Sequence, residues 1–390
     1  MALGKNTSLD QATILQVIPD LDAGGAERTT IEVCEALRDA GARPLVVSAG
    51  GRLEEDLSAA GGELLRRASI SSKNPATIRA NAGWLAKLIR SETISLVHAR
   101  SRAPAWSALW AARRRKTPFV TTYHGVYGAR GPLKRFYNSV MARGDVVIAN
   151  SNFTADHVRG AHAFAADRLK VIPRGVDLDA FHPDAVTEER LARLTRDWDA
   201  FDGVTLILPG RLTAWKGQMD AAEAAGQLMR KHANGWRLLL IGDHQGRTGY
   251  LSDLTARVRD LGLNHRVTVR GHCRDMPAAY QFADVVMAPS REPEAFGRVA
   301  AEASAMGKPV IVSDHGGQRE IVLQGETGLR VRPGDTTGLA QAMSDVIEMG
   351  IEGRRKMGAA GAKHVRARFS KTGLQAATLN VYESLLIDRA

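Results

Sequence analysis

The chain has 390 residues, 44% of them hydrophobic and 24% charged, with a formal net charge of +11, a balance typical of a globular protein of two domains. Only two cysteines are present, Cys34 and Cys273, which argues against a disulfide framework or a cysteine-based metal site. No apolar run approaches the roughly 18 residues of a membrane span, and the first residues, Met1 to Asn6, lack a signal-peptide pattern, so we expect a cytoplasmic protein.

Short apolar segments rich in β-branched residues alternate with helical patterns along the chain, as in parallel sheets built of βαβ units. Helices are predicted between the strands, for example from Glu27 to Ala40 and from Pro75 to Arg90. The predicted strands are Ile14 to Ile18, Pro44 to Ser48, Leu96 to His98, Phe119 to Tyr123, Val146 to Ala149 and Leu169 to Ile172 in the first half, and Val204 to Leu208, Trp236 to Ile241, Val267 to Val269, Val285 to Ala288, Pro309 to Ser313 and Gly328 to Val331 in the second.

Two such series are more than one open sheet usually carries, so we predict an α/β protein of two domains. The boundary is placed near the segment from Arg174 to Pro183, which gives a first domain of residues 1–183 and a second of 184–366. In sheets of this kind ligands bind beyond the carboxyl ends of the strands. Candidate site residues are therefore sought in the loops that follow predicted strands.

The most informative loop is Arg291-Glu-Pro-Glu-Ala-Phe-Gly-Arg-Val-Ala-Ala-Glu302, which runs into an apolar helix. The first N–H groups of a helix attract phosphate, and carboxylates accept hydrogen bonds from vicinal hydroxyls. Glu294 and Glu302 thus fit a phosphorylated, polyhydroxylated ligand such as a sugar nucleotide. The alternative is that both glutamates only complement the helix dipole and the solvent.

Cations and paired glycines follow other strands. Arg211 and Lys216, after the strand that ends at Leu208, are suited to stabilising a departing diphosphate, although two exposed loop cations need no ligand. Gly24-Gly25 and Gly316-Gly317 each open a helix, where they allow a ligand to approach or serve only as turns.

His124 follows the strand that ends at Tyr123, and it is interpreted either as a site residue or as a histidine satisfied by the backbone. Arg100 and Arg102, after another strand end, are candidates to meet an anionic acceptor or are ordinary surface arginines. Tyr123 and Tyr127 join them as candidate acceptor residues.

The positive charge predicts an anionic partner. Nucleic acid is not expected, because aromatic residues make up only 5% of the chain and no nucleic-acid-binding motif is visible. The basic clusters of residues 113–116 and 134–135 fit an anionic membrane surface, or are solvated helix ends.

Together these residues resemble the family 4 retaining glycosyltransferases, which have the GT-B architecture of two Rossmann-like domains with parallel sheets facing across a cleft. The resemblance spans nearly the whole chain. Its carriers are Gly24-Gly25, His124-Gly125, Val171 to Asp177, Gly210-Arg211 with Lys216-Gly217, Glu294 to Glu302, and Gly316-Gly317 with Glu320. One departure is Arg174, where similar proteins usually carry asparagine.

The resemblance implies the roles of these residues. Arg211 and Lys216 would hold the donor diphosphate, Glu294 the donor sugar and Glu302 the ribose. Gly24, Gly25 and His124 would approach the donor from the first domain, and a final helix within residues 367–390 would return to that domain. Backbone groups around Phe296, Gly297, Arg298 and Val299 would reach the sugar and phosphates.

The chemistry implied is retention of configuration without a metal or other cofactor, with a UDP-sugar favoured over a GDP-sugar as donor. We expect a hexose-type unit to pass to a hydroxyl of a lipid-linked or anionic glycan, as in lipopolysaccharide or glycolipid synthesis, on a protein that is cytoplasmic or peripheral at the inner face of the membrane. The alternatives are a nucleotide-sugar epimerase and a non-catalytic sugar-nucleotide sensor.

Overall fold

A computed structural model of the chain describes residues 9–22, 24–128 and 131–387. The N-terminal segment that lacks a signal-peptide pattern lies outside the described residues. The structure divides into two compact units. The first runs to Arg174 and takes in the last helix from Lys371, and the second comprises Gly175–Ser370.

The first unit is built on a parallel sheet of seven strands in the order β3-β2-β1-β4-β5-β6-β7. Both faces of the sheet are covered by helices, so its central strands β1, β4 and β5 are largely buried. Along β1, for example, Leu15 faces one buried cluster and Ile14 the other. The strands are Thr13–Val17 (β1), Arg43–Ser48 (β2), Glu63–Arg66 (β3), Ile94–Ala99 (β4), Phe119–Tyr123 (β5), Val146–Ala149 (β6) and Leu169–Val171 (β7).

The second unit contains a parallel sheet of six strands in the order β10-β9-β8-β11-β12-β13. Its two faces are likewise buried, with Leu208 of β8 on one side and Ile207 on the other. The strands are Val204–Pro209 (β8), Trp236–Ile241 (β9), Val267–Arg270 (β10), Val285–Ala288 (β11), Val310–Ser313 (β12) and Gly328–Val331 (β13).

Helices connect the strands in both units. They are Gly25–Asp39 (α1), Glu54–Ala59 (α2), Pro75–Ser91 (α3), Arg102–Arg115 (α4), Pro132–Asn138 (α5), Asn152–Ala161 (α6), Glu188–Trp198 (α7), Gln218–Lys231 (α8), Thr248–Asp260 (α9), Met276–Phe282 (α10), Arg298–Ala305 (α11), Gln318–Ile321 (α12), Thr336–Glu348 (α13), Gly350–Arg368 (α14) and Lys371–Ile387 (α15). Short 3-10 turns occur at Ala68–Ser71, Ser139–Ala142, Ala163–Arg168, Pro183–Ala185 and Ala214–Lys216. Among the described residues, none of the helices combines the length and the apolar character needed to cross a membrane.

The two sheets confirm the predicted α/β fold with two parallel-sheet domains. All twelve predicted strands are present with ends shifted by at most a few residues, and β3 was missed. Glu63 and Arg66 at its ends are exposed, because β3 lies at the edge of the sheet and buries little. A short, charged edge strand lacks the apolar run by which the other strands were found.

Two segments near the predicted domain limits, residues 175–183 and helix α15, each belong to one of the two units. Residues 175–183, which the prediction assigned to the first domain, cluster with the second unit, where Val176 N donates to Phe369 O at 2.7 Å and Phe181 lies against the core. Helix α15 packs with the first unit, and the hydroxyl of Tyr382 lies 2.6 Å from His98 Nδ1 on β4. The last helix thereby helps to close one face of the first sheet.

Candidate active site

In each sheet the strand order reverses at one point, and this is where α/β sheets form their ligand crevice. In the second unit the reversal lies between β8 and β11. The loop after β8 carries Arg211 and Lys216, and the loop after β11 carries Glu294. The two loops are tied together where Arg291 N donates to Trp215 O at 2.7 Å. Three of the residues predicted as catalytic therefore lie on the two loops that flank one crevice.

The structure brings Lys216 and Glu294 into contact. Lys216 Nζ donates to Glu294 Oε1 at 2.7 Å, and their side chains are only 14% and 12% exposed. The same carboxylate oxygen accepts the hydroxyl of Ser290 at 2.6 Å, and the ammonium lies 4.3 Å from the ring centre of Trp215. The pair is thus fixed in position and shielded from water, whereas the guanidinium of Arg211 is exposed and, within the described chain, has no side-chain partner.

Glycines allow the backbone to pack tightly around this pair. Gly217, at the start of α8, has a φ of +79°, and a Cβ there would lie 2.0 Å from Pro289 O in the loop after β11. In the loop after β12, Gly317 N donates to Glu294 O at 2.8 Å, and a Cβ on Gly317 would lie 2.5 Å from Ala295 O. The pair Gly316-Gly317, which was predicted to open a helix, therefore packs against the backbone of the loop that carries Glu294.

Helix α11 begins directly after this loop, with Gly297 at a φ of +102° as its N-cap. Phe296 is 3% exposed and its ring packs against Phe369, so only the backbone of this residue remains to meet a ligand. Arg298 and Val299 form the first turn of α11, and the side chain of Val299 packs partly against the core. The N–H groups of this turn are the ones that a helix N-terminus offers to an anion.

Glu302 lies one turn further along α11 and is 8% exposed. Its Oε2 accepts the hydroxyl of Tyr280 at 3.0 Å, and its Oε1 accepts the guanidinium of Arg298 at 3.0 Å. Burial, and then the neighbouring carboxylate, raise the pKa of Tyr280 well above its usual value, so the phenol stays a donor. Tyr280 and Arg298 hold the carboxylate in place. The sequence analysis did not identify Tyr280, because its link to Glu302 depends on two helices meeting.

In the first unit, His124 lies at the carboxyl end of β5, and its Nδ1 is 3.0 Å from Arg174 Nη2. A guanidinium only donates, so Nδ1 must accept and the ring proton must sit on Nε2. Burial, followed by the charges of Arg174 and Arg100, holds the pKa of His124 well below its usual value. The imidazole is therefore neutral, and its Nε2 is buried without a partner in the described structure.

The paired glycines Gly24 and Gly25 lie at the start of α1. A Cβ on Gly25 would be 2.0 Å from Arg174 Nη1, so this glycine leaves the space in which the guanidinium sits beside the helix. A Cβ on Gly24 would meet Glu27 Oε2 at 2.4 Å. Sequence reasoning noted Arg174 only as a departure from the usual asparagine, while the structure joins it to both His124 and the glycine loop.

The candidate acceptor residues divide by exposure. Arg100 is 2% exposed and its Nε donates to Gln16 Oε1 at 2.8 Å, and Tyr123 is 1% exposed. Arg102 donates to Asn138 Oδ1 at 2.8 Å and lies 3.9 Å above the ring centre of Tyr127, which is half-buried. Arg102 and Tyr127 can therefore contact an acceptor more readily than the buried side chains of Arg100 and Tyr123 can.

Another residue at a strand end is Asn150, which directly follows β6 as His124 follows β5. It is 1% exposed and its Nδ2 has no partner in the described structure. The signal that could have identified it was its position at a strand end. No group of three or more His, Cys, Asp or Glu side chains in the described part of the chain is arranged to hold a metal ion, and the metal-free reaction stays a prediction.

Comparison with known proteins places the chain in a family. Residues 23–180 match the sequence profile of Glycosyltransferase Family 4, and residues 203–349 match that of Glycosyl transferases group 1. A glycosyltransferase from Rickettsia africae is 34% identical, with a TM-score of 0.90 over 96% of this chain and 99% of that one. The Anabaena protein HepE in complex with UDP-glucose shares the fold, with a TM-score of 0.80 at 24% identity over 95% of this chain and 99% of that one.

Curated relatives match over shorter stretches. The D-inositol 3-phosphate glycosyltransferase of Xylanimonas cellulosilytica is 32% identical over 62% of this chain and 58% of its own length. A GDP-mannose-dependent alpha-(1-6)-phosphatidylinositol monomannoside mannosyltransferase of Mycobacterium tuberculosis is also 32% identical, over 62% of this chain and 61% of its own length. The chain thus matches about three-fifths of the length of these relatives. Since both halves match glycosyltransferase profiles and the Rickettsia africae relative aligns over almost its whole length, the chain belongs to glycosyltransferase family 4 and has its GT-B type of fold.

Proposed function

We propose that this protein is a retaining glycosyltransferase that moves a hexose-type unit from a nucleotide sugar to a hydroxyl of a lipid-linked or anionic glycan. The observation that carries the proposal is the shielded Lys216–Glu294 pair beside the exposed Arg211, at the strand-order reversal of the second sheet. A diphosphate needs cations and a sugar needs hydroxyl acceptors, and these loops supply both.

Glu294 is assigned to hydroxyls of the transferred sugar and Glu302 to the ribose. Lys216 uses one N–H for Glu294 and has two more for a phosphate, while Arg211 adds a second cation. Neutral His124 is assigned as a hydrogen-bond donor, through Nε2–H, to the donor sugar. None of these residues is required to act as a nucleophile.

The reaction proposed is a front-face displacement. The acceptor oxygen forms a bond to the anomeric carbon while the bond from that carbon to the phosphate oxygen breaks. The departing phosphate takes the acceptor proton, and the products are the glycoside and a nucleoside diphosphate. Arg211 and Lys216 would stabilise the negative charge that develops on the leaving group. Such stabilisation lowers the reaction barrier most where the interacting groups are shielded from water. No resident metal or other cofactor is proposed.

The acceptor class is proposed from charge and from the relatives. The chain carries a net charge of +11, and the relatives named above include enzymes of inositol 3-phosphate and of a phosphatidylinositol mannoside. We propose an anionic or lipid-linked acceptor, in a pathway such as envelope glycolipid or lipopolysaccharide synthesis, with a UDP-sugar ahead of a GDP-sugar as donor.

Association with an anionic membrane surface is supported by one face of the first unit. A groove of about 390 Å³ there is lined by Trp110 and Phe164, which are 45% and 54% exposed, and by Arg113 and Arg143. Phe136, 60% exposed, stacks on the neighbouring Trp106. Aromatic rings interleaved with arginines fit the interface of an anionic bilayer.

Vesicle sedimentation tests this surface. The protein should pellet with phosphatidylglycerol vesicles and not with phosphatidylcholine vesicles, and Phe136→Ser should weaken pelleting several-fold. Ile351→Ser, which alters a 56% exposed apolar residue of the second unit, is the matched control and should pellet like the wild type. Equal pelleting on the two kinds of vesicle would contradict an anionic membrane partner.

Nucleotide release tests the activity. The protein is incubated with UDP-, GDP-, ADP- and TDP-sugars, with and without a glycolipid extract from a membrane. A transferase releases nucleotide in response to the acceptor, whereas an epimerase converts the donor sugar without acceptor and a sensor binds donor without turnover. Absence of acceptor-dependent release with every donor would overturn the proposal.

A further inference from the structure

Trp215 is a half-buried tryptophan beside the candidate active site. It belongs to the short 3-10 turn Ala214–Lys216 in the loop after β8, and it directly precedes Lys216. Its ring centre lies 4.3 Å from Lys216 Nζ, well within the roughly 6 Å at which an aromatic face attracts a cation. The lysine side chain is only 14% exposed, and such attraction is stronger where water is excluded.

The Lys216 side chain is bounded by three features of the loops. Glu294 Oε1 accepts a hydrogen bond from Lys216 Nζ at 2.7 Å. The lysine stem passes Gly210, since a Cβ built on that glycine would lie 3.5 Å from Lys216 Cδ and 3.8 Å from its Cε. The indole face of Trp215 is the third feature. A lysine side chain otherwise samples many rotamers, so these contacts restrict where its charge can lie.

Two backbone features anchor the turn that carries Trp215. The carbonyl oxygen of Trp215 accepts a hydrogen bond at 2.7 Å from Arg291 N, in the loop after β11. Gly217 follows the turn at a φ of +79°, and its backbone packs so closely on Pro289 O that a Cβ would not fit. The indole ring is therefore carried by a segment that is tied to the loop bearing Glu294.

The ring and the carboxylate contribute differently to holding the ammonium group. Glu294 Oε1 also accepts the hydroxyl of Ser290 at 2.6 Å, and the carboxylate is assigned to hydroxyls of the transferred sugar. Its negative charge is therefore shared among several donors once a sugar is bound. The indole face attracts the ammonium through its ring electrons and has no other part in the proposed reaction. It can hold Lys216 while Glu294 receives the sugar.

We propose that Trp215 is a positioning residue that holds the Lys216 ammonium group against its indole face, in the place from which Lys216 stabilises the departing diphosphate. This inference rests on the proposed transferase function and adds to it a residue that acts through Lys216. A preorganised cation stabilises developing charge without having to move at the moment of reaction. The ring therefore contributes to kcat, and an aliphatic side chain cannot replace it.

Acceptor-dependent nucleotide release by full-length variants tests the role of the ring. Trp215→Leu removes the aromatic face and should lower kcat about tenfold, which is more than it raises KM for the nucleotide sugar. Trp215→Phe keeps an aromatic face and should retain most of the wild-type kcat. A wild-type kcat in Trp215→Leu, or an equal loss in the two variants, would overturn the proposal. If Trp215→Leu does not fold, Trp215→Met takes its place.

Trp84→Leu is the matched control. Trp84 of α3 is a half-buried tryptophan of the first unit, and its ring centre lies 5.1 Å from Arg67 Cζ. This variant also loses a contact between a cation and a ring, but one outside the candidate active site, so it should release nucleotide at the wild-type rate. A loss of kcat equal to that of Trp215→Leu would contradict a role specific to Lys216.

A double-mutant cycle separates an action through Lys216 from a general effect on the loop. In the Lys216→Met protein the ring has no ammonium group to hold, so adding Trp215→Leu should leave kcat unchanged. If kcat instead falls again by the same factor, Trp215 supports the loop independently of Lys216 and the proposal is refuted.

Nuclear magnetic resonance of lysine isotope-labelled at Cε tests the contact without nucleotide sugar or turnover. The ring current should shift the ε-proton signal of Lys216 upfield in the wild type and in Trp215→Phe but not in Trp215→Leu, and the signal is assigned by its absence from Lys216→Met. An unshifted Lys216 signal in the wild type would overturn the inference even if the protein is active. A shifted signal in a wild type that releases no nucleotide with any donor would instead overturn the proposed function.

Discussion

Acid should destabilise the first unit because it holds two neutral histidines, His98 within β4 and His124 directly after β5. His98 on β4 is completely buried, with its Nδ1 2.6 Å from the Tyr382 hydroxyl and its Nε2 2.7 Å from Thr122 Oγ1. Burial, and then the charge of Arg100, hold the pKa of His98 well below 6.5. The pKa of His124 is lowered in the same way.

The direction of this pH dependence follows from the difference in proton binding between the folded and the unfolded state. Below pH 6.5 the unfolded chain protonates these imidazoles while the folded protein does not, so the unfolded state binds more protons and stability falls as pH falls. With an unfolded pKa of about 6.5, each histidine that stays neutral in the fold costs about 1.4 kcal/mol between pH 7.5 and 5.5. His98 and His124 together therefore remove about 3 kcal/mol from the free energy of unfolding.

The assay is amide hydrogen exchange of peptides from β4 and β5 between pH 5.5 and 7.5, corrected for intrinsic exchange rates. His98→Gln removes one imidazole and keeps polar atoms for Thr122 and Tyr382, so it should lose about 1.4 kcal/mol of the pH dependence. The pKa values of His157 and His162 are also lowered by burial, but the difference between variant and wild type cancels their contribution. An identical pH dependence in the two proteins would refute the reasoning.

Two further predictions concern the second unit. Gly297→Ala puts a Cβ 2.6 Å from Gln318 Cγ at a φ of +102°, and it should lower the free energy of unfolding in urea by about 1–3 kcal/mol. The control Gly307→Ala has nothing within 4 Å of its Cβ and a φ of +70°, so it should lower that free energy by only about 1 kcal/mol. Equal losses in the two variants would argue against a packing constraint at Gly297. Tyr280→Phe removes the 3.0 Å hydrogen bond to Glu302 and should lower the free energy of unfolding by about 1–3 kcal/mol. The same variant should raise KM for the nucleotide sugar more than it lowers kcat. An unchanged KM would count against a donor-binding role for Glu302.

The sequence carried enough information to predict the fold because most strands are buried on both faces. Runs such as Phe119–Tyr123 and Trp236–Ile241 have no polar face and stand out from the helical segments around them. The edge strand Glu63–Arg66 is amphiphilic and short, so its pairing with β2 depends on tertiary structure rather than on a local pattern.

The candidate site was predictable only as a set of loops. Strand ends indicated where Arg211, Lys216 and Glu294 would lie, but the contact between Lys216 and Glu294 joins residues 78 positions apart and no local pattern encodes it. The same holds for the link between Arg174 and His124, 50 positions apart.

Burial was the other feature that local sequence did not give. Arg100 was predicted either to meet an anionic acceptor or to be an ordinary surface arginine, yet its side chain is 2% exposed and bonded to Gln16 on the neighbouring strand β1. For an arginine at a strand end, the neighbouring sequence does not indicate whether another strand and a helix cover the side chain. Packing of β1 and α15 around the end of β4 decides this.

The most direct measurement of the proposed function is acceptor-dependent nucleotide release by Lys216→Met, with Lys231→Met as the matched control. Lys231 is a half-exposed lysine of the same unit, paired with Glu348 at 2.8 Å. If Lys216 stabilises the departing diphosphate, Lys216→Met should lose about 100-fold or more in kcat while Lys231→Met releases nucleotide at the wild-type rate. Wild-type release by a folded Lys216→Met protein would contradict the assignment of the active site to the β8 and β11 loops.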